Sequence, residues 1–127
     1  MLKQLSIYAE NKKGALQAMT NALYEAGINI WGSVTNDGAE YGINRMVVSD
    51  PEKAKEVLTE KGYLCRFVDV LAVEIEDKPG ALNTLLTALL DSNVNVDYTY
   101  LSFNRDSSTP VMILHTADPE EVEICLK

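Results

Sequence analysis

Asp77-Lys78-Pro79-Gly80-Ala81-Leu82 joins an alternating segment, Leu71 to Glu76, to a leucine-rich segment with helical spacing, Leu82 to Leu90. Sixty-six residues earlier the chain reads Asn11-Lys12-Lys13-Gly14-Ala15-Leu16, with Gly14 in register with Gly80. An asparagine and a β-branched residue follow each helix, as Asn29-Ile30 and Asn95-Val96. An offset that persists through a strand, a turn, a helix and a second strand is an internal repeat. The expectation is two copies of one unit, residues 1–68 and 69–127, with function sought in the loop ahead of each helix.

The rest of the chain fits that frame. Lys3 to Glu10 alternates as a strand, with Leu5, Ile7 and Ala9 on one face. Leu16, Met19, Ala22, Leu23 and Ala26 recur at helical spacing, and Gly27 stops that helix. Ile28 to Asn36 reads as a second strand with Ile28, Ile30, Gly32 and Val34 on one face, and Asn36-Asp37-Gly38 supplies a hairpin turn. Tyr41 to Val48 is a third strand. Asp50-Pro51 opens a helix that Gly62 ends. Tyr63 to Glu76 is one long strand without a linker, closing the first unit and opening the second. In the second unit Leu82, Leu85, Leu86, Leu89 and Leu90 line the helix core, and Asn93 replaces glycine as the stop. Strands at Val94–Phe103 and Pro110–Thr116 flank a polar turn at 104–108. Asp118-Pro119 repeats the Asp50-Pro51 helix start.

The order β-α-β-β-α-β, and its repetition without the last strand, places the chain in the α+β class. Right-handed, uncrossed connections turn it into two ferredoxin-like units in tandem, each an antiparallel sheet with helices on one face. The other sheet face is expected to be bare, with Tyr8, Tyr98 and Tyr100 placed to cover it. The missing strand leaves a sheet edge for a second chain to cover, so a homodimer is expected.

Composition narrows the function classes. The net charge of −8 comes from residues 67–127, which hold three Lys and Arg against eleven Asp and Glu. Residues 1–66 balance at eight of each. Such a chain is a poor match for a phosphate backbone, so nucleic acid is not expected as a partner. No apolar run reaches membrane-spanning length, and the first residues enter a strand pattern without a signal-peptide layout. Two cysteines, Cys65 and Cys125, make neither a disulfide framework nor a zinc site. A reducing cytoplasm is the expected compartment.

The loops have chemistry suited to a small zwitterion. A helix N-terminus presents free N–H groups and partial positive charge to a carboxylate. Gly14 and Gly80 allow close approach to the backbone, and the amides of Ala15-Leu16 and Ala81-Leu82 follow. Asn11 and Asp77 are placed to accept a hydrogen bond from an ammonium group, Asp77 with a charge of its own. The same residues also suit any strand-to-helix turn, so the motif alone does not separate binding from folding.

These residues resemble tandem ACT domains, small regulatory domains that bind amino acids. The likeness covers essentially the whole chain. Asp77-Lys78-Pro79-Gly80-Ala81-Leu82 matches the family's D-x-P-G-x-L signature. Asn11-Lys12-Lys13-Gly14-Ala15-Leu16 departs from it and is similar to the N-x-x-G-A-L turn of the acetolactate synthase small regulatory subunit, a branched-chain amino-acid sensor. The resemblance implies a non-catalytic protein with a small amino acid, branched-chain ones among the candidates, bound at the loops near a paired-domain interface. It implies that Asn29-Ile30 and Asn95-Val96 reach the ligand across that interface. It also implies an amino-acid biosynthetic enzyme as a candidate partner.

The remaining candidates are weaker. His115 has Asp118 as its nearest acid in sequence, but that residue reads as a helix cap, so His115 reads as packing. Neither cysteine has a base beside it. Trp31 reads equally as interface or core. No nucleophile-base pair, metal cluster, cofactor motif or phosphate loop stands out, so no cofactor or metal is expected and an enzyme is the less favoured reading. A protein–protein interaction module, or an enzyme's regulatory subunit without ligand binding of its own, is the alternative to an amino-acid sensor.

Overall fold

The computed structural model describes residues 1–10, 12–36, 41–103 and 109–126. In chain order the elements are β1 (Leu2–Glu10), α1 (Ala15–Glu25), β2 (Ile30–Asn36), β3 (Tyr41–Val48), α2 (Pro51–Glu60), β4 (Leu64–Glu74), α3 (Ala81–Asp91), β5 (Tyr98–Phe103), β6 (Pro110–His115) and α4 (Pro119–Cys125). The order is that of tandem βαββαβ units, the second without a strand after α4 among the described residues. The chain divides into two compact units, Lys3–Val68 and Asp69–Lys127 with Met1–Leu2. β4 runs through the division without a break.

In the first unit β3 pairs antiparallel with both β1 and β2. Leu5 and Ile7 of β1 and Met46 and Val48 of β3 face Met19, Ala22 and Leu23 of α1 and Ala54 and Leu58 of α2. Both helices therefore cover one face. The apolar periodicities of strand and helix meet in that layer.

Each long helix ends as its sequence dictates. Gly27 takes φ 75° and Asn93 φ 59°. The amides of Gly27 and Ile28 turn back to the Tyr24 and Leu23 carbonyls, at 3.0 Å each. Asn93 and Val94 do the same to Leu90 and Leu89, at 2.9 and 2.8 Å. These are Schellman caps, each with its apolar clasp, Ile28 with Leu23 and Val94 with Leu89.

The two Asp-Pro helix starts differ. Asp50 accepts the Lys53 amide at 3.2 Å, whereas Asp118 makes no side-chain cap. Asp50→Ala is expected to cost about 1 kcal/mol, and Asp118→Ala only a few tenths, measured by urea denaturation.

Three expectations about which face a residue takes are corrected. Ile28, Ile30, Gly32 and Val34 do not share one face. Ile30 stands opposite Val48 and Gly32 opposite Val47, so two steps of β2 span one of β3, a β-bulge at Trp31. Beyond it the phase inverts, and Ser33 and Thr35 join Met46 and Asn44 on the helix side. The face away from the helices is not bare: Gln4, Ser6 and Val47 are buried there. Gln4 Nε2 donates to Ser6 Oγ at 3.2 Å, which makes burial of those polar groups tolerable. Leu90 is 74% exposed rather than in the core, because it lies at the margin of the stripe formed by Leu82, Leu85, Leu86 and Leu89.

In the second unit β6 pairs antiparallel with β4 and β5. Leu71, Leu89, Leu114 and Val122 form its core. β5 starts at Tyr98 rather than Val94, because the cap of α3 engages Val94 and only the Asp97 amide reaches His115 before the ladder begins. Tyr100 is buried, and Tyr98 and Tyr8 are half-buried. The turns expected at 37–38 and 104–108 lie outside the described residues, as does Asn11.

Candidate functional site

The two repeat loops share one backbone conformation. Gly14 has φ 85° and ψ −7°, and Gly80 has φ 87° and ψ −6°. This is the left-handed region that glycine enters without cost. The Lys12 and Lys78 amides donate to the Glu10 and Glu76 carbonyls, at 3.0 Å each. Those of Ala15 and Ala81 donate to the Lys12 and Lys78 carbonyls, at 3.1 and 3.3 Å.

Neither helix start carries a side-chain cap. Asp77 is exposed and leaves the α3 amides uncapped. The amides of Leu16 and Gln17, and of Leu82 and Asn83, have no acceptor among the described residues. They are the donors a carboxylate takes at a helix N-terminus.

In the first unit Leu16 borders a pocket of about 180 Å³. Ala9, Glu10 and Lys12 form one wall, Ala15, Leu16 and Met19 of α1 another, and Thr35, Asn36, Gly42 and Asn44 the floor. Leu16 is 47% exposed because it walls this opening rather than filling the core. A Cβ at Gly42 would lie 3.1 Å from the Asn36 carbonyl, so glycine keeps that edge of the floor open.

Asn44 is 2% exposed, a polar residue on the core side of an otherwise apolar strand face. Its Nδ2 donates to Thr35 Oγ1 at 2.7 Å and to Ser33 Oγ at 3.1 Å. The Ser33 hydroxyl lies 3.4 Å from Asn44 Oδ1. Asn44, Thr35, Asn36 and Gly42 escaped the sequence reading. The available signal was Asn44 itself, in phase with Met46 and Val48.

The second loop borders a recess of about 280 Å³ lined by Val73, Glu74, Ile75, Glu76, Lys78, Ala81, Thr84 and Leu85. No β5 or β6 residue floors it. The residues in the places of Asn44 and Thr35 are Met112 and Leu101, a pair in the β5–β6 ladder. Val73 stands beside Met112 as Ile7 stands beside Asn44.

Within each unit the expected partners of the loop lie elsewhere. Asn29 and Ile30 follow the far end of α1, a helix about 16 Å long. Asn29 binds Ser49 through its amide and carbonyl, at 2.9 Å each, and Ile30 packs on the core. Asn95 and Val96 follow the far end of α3. Asn95 Nδ2 donates to Asp97 Oδ1 at 3.1 Å, and Val96 packs on the second core.

His115 has an acid partner, and it is not Asp118. Its Nδ1 lies 2.9 Å from Asp97 Oδ2, and Tyr98 stacks on the ring with centroids 4.9 Å apart. Burial pushes the Cys65 thiol up from its usual range, opposed by the Lys55 charge, which leaves it a poor nucleophile. Among the described residues no group of His, Cys, Asp and Glu could hold a metal ion, and no helix is long and apolar enough to cross a membrane.

The model of the family described as an ACT domain pair matches residues 1–126. A crystal structure of a protein from Bacteroides thetaiotaomicron is similar at 30% identity and TM-score 0.89, over 98% of this chain and 85% of that one. The ligand-free regulatory subunit of aspartate kinase from Thermus thermophilus shares the fold at 15% identity and TM-score 0.66, over 98% of this chain and 91% of that one. The Thermus flavus regulatory subunit of aspartate kinase does so at 17% identity and TM-score 0.58, over 100% and 95%. No curated protein matches the chain.

Proposed function

Since the chain belongs to the ACT domain-pair family, we propose that it is a non-catalytic regulatory protein that senses a small amino acid. The ligand sits at the Gly14 loop of the first unit. The observation that carries this reading is the pocket between the uncapped start of α1 and the Asn44 floor. It joins carboxylate donors to a small cavity with apolar and polar walls. Glu10 and Asn36 line the same space and bring acceptors that suit an ammonium group. The Gly80 loop offers the same backbone donors over a wider recess. We place the protein in the cytoplasm as a homodimer of two-unit chains, residues 1–68 and 69–127, acting on an amino-acid biosynthetic enzyme. Regulation requires that the ligand bind the acting and resting states with different affinity.

The test is a thermal-shift screen of the full chain against the common amino acids, with size-exclusion chromatography on each hit. A ligand at a hundred times its dissociation constant adds about 2.7 kcal/mol, a rise of several degrees for a chain of this size. No rise with any amino acid overturns the reading, and so does turnover of an amino acid by the pure protein.

Leu101 and Phe103 favour the alternative, an interaction module. They stand 54% and 63% exposed on β5, where most apolar side chains of a sheet are covered. Co-purification of an enzyme with a protein that binds no amino acid would select it.

A further inference from the structure

We infer that the first unit's pocket reads its ligand's side chain through Asn44 and Thr35, and takes an amino acid whose side chain carries a hydroxyl or a carboxamide. This rests on the amino-acid sensing proposed above and adds the class of ligand.

The argument is an inventory of donors and acceptors. Asn44 has two N–H donors, and both are engaged, by Thr35 and Ser33. Its carbonyl oxygen is left with one contact, the Ser33 hydroxyl at 3.4 Å, too long for a strong O–H···O bond. Thr35 Oγ1 accepts from Asn44, and its own proton has no acceptor among the described residues. A polar cluster serving the core alone would close on itself. This one keeps an acceptor and a donor, held on neighbouring strands, both at the pocket floor.

A hydroxyl both accepts and donates, and so does a carboxamide. Either satisfies the pair at once. An aliphatic side chain would remove water from both groups and replace neither bond, the situation in which a polar site discriminates most strongly. Ala9 and Met19 leave apolar wall beside the pair, room for the carbon skeleton of a small side chain.

The repeat supplies the control. In the second unit the same two ladder positions are Met112 and Leu101, which offer neither a hydroxyl nor an amide. The polar pair is therefore not a requirement of the fold.

Isothermal titration of the full chain with isosteric pairs tests this: threonine against valine, and asparagine against leucine. Each hydrogen bond is worth about tenfold in affinity, so the polar member of each pair should bind at least tenfold tighter. Asn44→Met, which copies the second unit, and Thr35→Val should each bring the members of a pair to within about threefold. Thr35 is exposed, so Thr35→Val keeps the test decisive where Asn44→Met unfolds by circular dichroism. Valine and leucine binding as tightly as threonine and asparagine would overturn the class assignment while leaving amino-acid sensing intact. A polar preference that survives in the folded variants would overturn the residue assignment. Binding of no amino acid would remove this inference together with the reading beneath it.

Discussion

Replacing Leu23 with alanine is expected to destabilise the first unit by about 3 kcal/mol, within the range for a leucine removed from a close-packed core. Leu23 is fully buried among Leu5, Ile7, Met46 and Leu58. Its carbonyl is also fixed, because it accepts the Ile28 amide in the cap of α1. The surroundings are held from two sides and can collapse only partly into the space left. Leu90→Ala is the matched control. It too removes a leucine from the last turns of a helix, but one 74% exposed, and should change stability by no more than about 0.5 kcal/mol. Urea denaturation followed by circular dichroism measures both. Equal losses would mean that helix propensity rather than packing sets the cost, contrary to the burial described above.

Gly14→Ala is expected to cost about 1–2 kcal/mol in stability and, in addition, at least tenfold in amino-acid affinity. The stability loss comes from the backbone. Among the described residues, its chain neighbours apart, no heavy atom lies within 4 Å of where the new Cβ would stand, so the penalty is the φ of 85° and not a clash. The affinity loss comes from the chain's relief of that strain. Turning φ toward ordinary values swings the Leu16 and Gln17 amides out of line at the helix start. Gly27→Ala separates the two effects. Gly27 has φ 75°, equally open surroundings and a place at the opposite end of α1. It should show a similar stability loss with unchanged affinity, by chemical denaturation and titration calorimetry. If Gly14→Ala binds like the native chain, the loop is a turn and no more.

Much of this was legible in the sequence, and for identifiable reasons. The repeat offset, the glycine and asparagine stops and the Asp-Pro helix starts are local chemistry, and they placed nearly every element. Helix sidedness was read less well. Leu82, Leu85, Leu86, Leu89 and Leu90 cannot be sorted by type, and only their angle to the sheet separates Leu89 from Leu90. The candidate site was half legible. Gly14 and Gly80 announce their loops, but Asn44 and Thr35 belong to strands whose pairing the sequence does not print. The decisive obstacle was Trp31. A bulge is invisible to an alternation count, and it assigned Gly32 and Val34 to the face that Ser33 and Thr35 occupy.

That bulge ties the make-up of the pocket floor to the register of β2. The extra residue at Trp31 is what turns Ser33 and Thr35 toward Asn44. Losing the bulge at unchanged length would pair Trp31 with Val47 and Gly32 with Met46, slip the rest of β2 by one residue, rotate the two hydroxyls out of the pocket and bring Gly32 and Val34 in. No contact residue need be mutated for the floor to change from polar to apolar. A substitution at Trp31 that removed the bulge would therefore change the floor, a step that comparison of the contact residues alone would miss.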